Sequence, residues 1–166
     1  MKEKGIEEYI EVAEKITKDY PFTEFYILGR FEEEKYKDII LNNKNLKIRY
    51  LGVSDDVRNE IKEIDCIIHP TFYPEGMSNV LLEGAAMGKP LIASNIPGCK
   101  EIIEEGINGY LFEPRNIKQL KEKVEKFLSL DNEYKKKMGL AGRSKVIKEF
   151  NRRIVIDAYL EEIGSL

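Results

Sequence analysis

Residues 69–100 read HPTFYPEGMSNVLLEGAAMGKPLIASNIPGCK, and this stretch decides the fold. It has the plan of a buried strand ending in Pro70, a polar turn, a helix and a second buried strand. Glu75 and Glu83 stand in it with seven residues between them. Gly76 and Ser78 lie just ahead of the helix that carries Glu83. The first N–H groups of a helix lack internal acceptors, and the helix dipole adds positive character there, so such a start is a ready anion site. A loop acid beside that site can bind hydroxyls, and so can an acid on the helix itself. Together these residues describe a pocket for a molecule with phosphate in its middle and polyols at both ends.

Outward from this stretch the chain alternates helices and apolar strands. Gly5 to Tyr20 reads as a helix, with Ile6, Tyr9, Ile10, Ala13 and Ile16 on one face. Pro21 stops it. Phe25–Leu28 is a short buried strand ending at Gly29-Arg30. Glu32 to about Asn42 is helical. Leu46–Leu51 alternates like a strand and ends at Gly52. Ser54 or Asp55 is expected to cap a short helix through Ile64. Cys66–His69 is the third strand.

Beyond the central stretch, Leu91–Ser94 is a fourth strand and Glu101–Glu104 a short helical turn. Gly106 and Gly109 bracket a tight turn, and Tyr110–Phe112 is a fifth strand. Asn116 caps a helix to about Leu130, and Asp131 caps another that reaches Phe150. A last helix runs from Arg152 to Ile163. Apolar strands alternating with helices predict an α/β domain with a parallel sheet covered on both faces. Its length of 166 residues suits one compact domain.

Composition excludes several classes. Charged residues make up 34% and hydrophobic ones 42%, the balance of a globular chain. With a net charge of −3 there is no basic field to draw nucleic acid or acidic lipid. No apolar run is long enough to span a bilayer, and no signal peptide opens the chain. Cys66 and Cys99 are isolated and His69 is the only histidine, so neither a disulfide framework nor a metal cluster is expected. His69 reads as a strand-end residue, Arg30 as a solvated strand-exit arginine, and Lys135-Lys136-Lys137 as a solvated helix face. Asp55-Asp56 reads as a helix cap rather than a metal-binding D-x-D.

Glu75-x7-Glu83, then Gly88-Lys89-Pro90-Leu91-Ile92-Ala93-Ser94, then Pro97-Gly98-Cys99-Lys100-Glu101-Ile102-Ile103 and Gly106-x-Asn108-Gly109 form an ordered series. The series resembles the C-terminal half of a retaining GT-B glycosyltransferase, of the family 4 or group 1 type. The likeness covers nearly the whole chain. It implies a Rossmann-like parallel sheet with helices on both faces, serving as a single donor-binding domain over residues 1–166.

The resemblance also implies roles. Glu75 would touch the donor sugar near the reacting carbon and is the catalytic candidate. Backbone N–H groups of Gly76, Met77, Ser78, Asn79 and Val80 would face the sugar and phosphate, with Lys4 on the diphosphate. Glu83 would hold ribose hydroxyls, and Gly52, Val53 and Ser54 would lie against the base. The donor would be a UDP- or GDP-sugar, with no metal and no other cofactor. The Met77-Ser78 form is similar to enzymes that extend bacterial surface polysaccharides, which implies a glycan or lipid-linked acceptor. It also implies a cytoplasmic setting, or a peripheral one at the inner face of the membrane. A nucleotide-sugar binding module without turnover, or a sugar-nucleotide epimerase, is the alternative reading.

Two parts of the resembled plan are not found in the sequence. Only three residues precede Lys4-Gly5, where the family has a first central strand ending in arginine. The N-terminal acceptor domain is likewise not found. The sequence is therefore expected to lack the middle strand of its sheet. Phe25–Leu28 and Cys66–His69 would then face each other across an open strand position, with self-association through that position as the expected outcome.

Overall fold

In the computed structural model, residues 2–42, 47–74 and 76–164 are described. Among the described residues five strands and seven α-helices follow a 3-10 turn at Lys2–Lys4, alternating as far as the fourth strand; the fifth strand and then the last three helices come after it. Strand β1 (Phe25–Ile27) pairs parallel with β2 (Ile48–Tyr50). Strands β3 (Ile67–His69), β4 (Leu91–Ser94) and β5 (Gly109–Phe112) form a second parallel ladder in that order. Each predicted strand is present, shorter by a residue or two at its ends, except that β4 matches in full and β5 begins one residue earlier. Leu46 lies outside the described residues.

The helices fall as the apolar spacing requires. α1 (Ile6–Asp19) and α5 (Ile117–Leu128) turn Val12, Ala13, Ile16, Leu120 and Val124 into one core, and Ile92, Tyr110 and Phe112 meet them from the sheet. On the opposite face, α3 (Arg58–Glu63), α4 (Asn79–Ala86) and α6 (Asn132–Glu149) pack on Ile67, Leu91 and Ala93. Side chains alternate across a strand, so Leu91 and Ala93 enter one core while Ile92 enters the other. A strand apolar at every position is thus a strand buried on both faces.

The sheet is not continuous. β1 and β3 are not hydrogen-bonded to each other, and a cleft of about 810 Å³ runs between them. The sequence reading foresaw the open position. The two strands do not close up and pair directly. Three local expectations need correction. The cap of α3 is neither Ser54 nor Asp55: Val57 precedes the helix, and Asp56 Oδ1 accepts from the Arg58 N–H at 3.2 Å. Helix α2 (Glu34–Asn42) starts two residues later than Glu32. Glu101–Glu104 is not helical; it belongs to a run of hydrogen-bonded turns in which Cys99 N–H donates to Ile96 O and Ile102 N–H to Cys99 O.

The caps at Asn116 and Asp131 are as expected, accepting from the N–H groups of Gln119 at 3.0 Å and Tyr134 at 2.7 Å. Helix α7 (Arg152–Gly164) lies outside both cores, with Ile154, Tyr159, Leu160 and Ile163 exposed.

Candidate functional site

The C-terminal ends of parallel strands collect loops on one side of the sheet, and in open α/β sheets ligands bind there. The mouth of the central cleft lies at those ends. Its walls include Lys4, Gly29, Arg30, Ser54, Pro70 and Glu83. Val53 and Val80 line it as well. Residues from four separate sequence regions therefore meet in one cavity, and five of them, Lys4, Val53, Ser54, Val80 and Glu83, were singled out from the sequence.

The loop after β3 leads from Pro70 to the start of α4. Ser78 caps that helix, accepting from the Leu81 N–H at 3.5 Å, and its own N–H donates to Gly98 O at 2.9 Å. The residue is 1% exposed. Ser78 therefore does not offer its N–H to a ligand; it fixes the helix start on the Pro97-Gly98 turn. The N–H groups of Asn79 and Val80 occupy the first two helical positions and have no acceptor within the helix. Gly76, Met77, Asn79 and Val80 are all exposed, which leaves their backbone open to an anion. Glu75 lies outside the described residues.

Glu83 sits one turn after Val80 on the same face of α4, exposed and on the wall of the cleft. An acid there can accept two hydrogen bonds from vicinal hydroxyls. Across the cleft, the loop after β2 carries Gly52, Val53 and Ser54. Gly52 has φ +82°, and its carbonyl accepts from the Gly29 N–H at 2.7 Å, so the loops after β1 and β2 are tied together. Gly52 itself is not on the cleft wall, whereas Val53, 55% exposed, and Ser54 are. Ser54 Oγ accepts from the Asp56 N–H at 3.3 Å. Side-chain hydrogen bonds from Arg58 hold the Asp56 carboxyl well below the usual range, at about 2.

Lys4 ends the 3-10 turn that opens the described chain, with its ammonium 5.1 Å from the centre of the Tyr73 ring. The sequence reading missed how that turn is held. Glu3 O accepts from the N–H groups of Phe72 at 2.9 Å and Tyr73 at 3.1 Å, while Lys2 N–H donates to Glu33 Oε1 at 3.0 Å. The turn thus bridges the loops after β1 and β3 across the mouth. It also places Gly5 against Pro70 with φ +77°, where a Cβ would stand 2.1 Å from the Pro70 carbonyl oxygen. Only glycine fits both the backbone angle and the space.

Arg115 was missed too. It is the one described non-glycine residue with positive φ, and its guanidinium lies 4.1 Å from the Phe72 ring centre, pinning the loop after β3. The Pro114-Arg115-Asn116 turn was the only sequence signal for it. His69 is 9% exposed and on the cleft wall, and Arg30 is exposed there. Among the described residues no three His, Cys, Asp or Glu side chains gather as a metal site, and no helix is long and apolar enough to cross a membrane.

Known proteins resemble this chain in sequence or in fold. The capsular polysaccharide biosynthesis glycosyltransferase CapM of Staphylococcus aureus is 25% identical over 169 residues, an overlap that takes in 100% of this chain and 43% of CapM. The crystal structure of Anabaena HepE in complex with UDP superposes with a TM-score of 0.86 at 21% identity, over 100% of this chain and 46% of that one. The C-terminal domain of LpcC, a group 1 glycosyl transferase of Francisella tularensis, superposes at 0.79 with 23% identity, over 92% and 82% of the two chains. The fold is that of GT-B glycosyltransferases. The chain spans less than half the length of CapM and HepE. Residues 1–145 match the family described as "Glycosyl transferases group 1", and the chain belongs to that family.

Proposed function

We propose that this chain is the donor-binding half of a retaining glycosyltransferase that uses a nucleoside-diphosphate sugar, UDP- or GDP-linked. The observation that carries this reading is the meeting of Lys4, Val53, Ser54, Val80 and Glu83 in one cleft mouth beside a helix start. The HepE structure in complex with UDP and the capsule role in the name of CapM are consistent with it.

On this reading each part has a task. Glu83 accepts hydrogen bonds from the ribose hydroxyls, and Val53 and Ser54 flank the base with Gly52 setting the turn. The N–H groups of Gly76, Met77, Asn79 and Val80, with the dipole of α4, face the diphosphate and sugar. Transfer breaks the bond between the anomeric carbon and the diphosphate, and negative charge grows on the departing nucleoside diphosphate. The Lys4 ammonium and the fixed N–H donors stabilise that charge as it develops. Glu75, as the resemblance implies, stands near the reacting carbon. On this reading no metal is needed, because the helix start and Lys4 supply the positive potential.

The acceptor is a glycan or lipid-linked saccharide in bacterial surface polysaccharide synthesis at the cytoplasmic side. It is presented by a facing N-terminal domain, so this chain alone turns nothing over. Calorimetry with UDP and GDP, run in EDTA, tests the reading. Glu83→Ala should weaken binding by about 10-fold or more, as expected for losing charge-assisted hydrogen bonds of ~1.5–3 kcal/mol. Glu75→Ala should weaken it less. Equal losses, or binding that requires a divalent cation, would contradict the assignment.

A further inference from the structure

The turn after β5 holds an arginine where its backbone favours glycine. Pro114 and Arg115 are the central residues of that turn, which closes with the Asn116 N–H donating to Glu113 O at 3.0 Å. Arg115 has φ +63°, and the second central position of a turn with positive φ is ordinarily glycine or asparagine. The rest of the turn is fixed without the arginine side chain. Glu113 N–H donates to Gln119 Oε1 at 2.8 Å, Asn95 Nδ2 donates to Glu113 Oε1 at 3.1 Å, and Asn116 Oδ1 accepts from the Gln119 N–H at 3.0 Å. Non-glycine residues in left-handed backbone persist where their surroundings over-determine them, and they cluster at functional sites.

The side chain reaches the loop after β3. The Arg115 guanidinium lies 4.1 Å from the Phe72 ring centre. The next ring in the chain, Tyr73, has the Lys4 ammonium 5.1 Å from its centre. Phe72 and Tyr73 both give their N–H groups to Glu3 O, and Thr71 Oγ1 also accepts from the Tyr73 N–H, at 3.2 Å. Phe72 and Tyr73 are thus the anchored start of this loop. Ser78, whose N–H donates to Gly98 O, is its anchored end. Between them Pro74, Gly76 and Met77 are exposed. An exposed cation–π contact does not outweigh the cost of left-handed backbone, so stability alone does not account for an arginine here.

We propose that Arg115 is a positioning residue for donor binding: through Phe72 it sets where residues 74–77 lie, and so where their N–H groups meet the distal phosphate and the sugar. It acts at a distance, since Arg115 is not on the wall of the cleft. The nucleoside end is set separately, because Glu83 is carried by α4 and Val53 and Ser54 by the loop after β2. The inference rests on the donor reading for its ligand, while the effect on the loop is measured without one.

The test uses the whole chain, with residue-resolved hydrogen exchange in the absence of nucleotide and calorimetry with UDP against UMP and GDP against GMP. The monophosphates lack the distal phosphate that the loop would meet. Arg115→Gly suits the backbone angle and removes the cation, so the thermal midpoint should hold or rise. Exchange at Phe72 and Tyr73 should quicken by about two- to fivefold, and diphosphate affinity should fall by a similar factor with monophosphate affinity unchanged. Arg115→Lys keeps a cation within reach of the ring and should fall between Arg115→Gly and the unaltered chain. In a chain that binds these nucleotides, unchanged exchange or an unchanged ratio of diphosphate to monophosphate affinity overturns the proposal alone. A lowered midpoint with both affinities falling together marks a merely structural arginine and overturns it too. An unaltered chain that binds none of the four nucleotides overturns the donor reading, and the proposal with it.

Discussion

Gly5 shows what a single residue does for the site. It starts α1 with left-handed backbone and brings the turn at Lys2–Lys4 onto Pro70. A Cβ there is penalised twice. The left-handed angle costs roughly 1–2 kcal/mol, and overlap with a backbone carbonyl that cannot rotate away costs roughly 1–3 kcal/mol more. Gly5→Ala is expected to lower stability by about 2–5 kcal/mol in urea denaturation. It should also weaken UDP binding, because Lys4 moves with the turn. An unchanged denaturation midpoint would show that the contact with Pro70 is not a constraint. Asn108 acts by hydrogen bonding instead: it accepts from the Glu104 N–H at 2.7 Å and donates to Ile102 O at 2.9 Å while 1% exposed. The motif glycines around it read correctly as a turn, but the role of Asn108 itself could not be read without its partners.

Among the elements, α4 and α6 decide how the helix start is held. Their crossing brings Gly139 onto the Gly88 carbonyl, where a Cβ would stand only 1.9 Å from the oxygen. Alanine raises helix propensity by up to ~1 kcal/mol, but the overlap, at roughly 1–3 kcal/mol or more, wins. Gly139→Ala should therefore lower the thermal midpoint; a rise would mean that propensity outweighs the close approach. The elements were also the most legible part of the sequence. Strands apolar at every position, capped helices at Asn116 and Asp131, and proline stops each leave a local signal. The helical reading of Glu101–Glu104 failed for a physical reason. Asn108 and Glu101 engage the turn through long-reaching side-chain hydrogen bonds, Glu101 Oε2 accepting from the Gly98 N–H at 2.7 Å, and these do not show in spacing. The cap of α3 failed because three adjacent polar residues, Ser54, Asp55 and Asp56, compete for one role.

Across the whole molecule, two cores sandwich two short sheets, and the cleft between the sheets opens onto the loops. The break between the two ladders was readable because the resembled plan places a strand between β1 and β3 that the motifs read here do not supply. The bond that Tyr9 O–H donates to Tyr26 O at 2.8 Å was not readable, since tyrosine on an amphipathic helix looks like ordinary packing. The central claim is that distant segments build one nucleotide-sugar site at the mouth. Backbone amide chemical shifts of the isotopically labelled chain, followed during a UDP titration, test it most directly. The account predicts that the largest shifts fall on Lys4, Val53, Ser54, Asn79, Val80 and Glu83, with α5 and α6 unmoved. Shifts confined to any other surface, or none at saturating UDP, would contradict it.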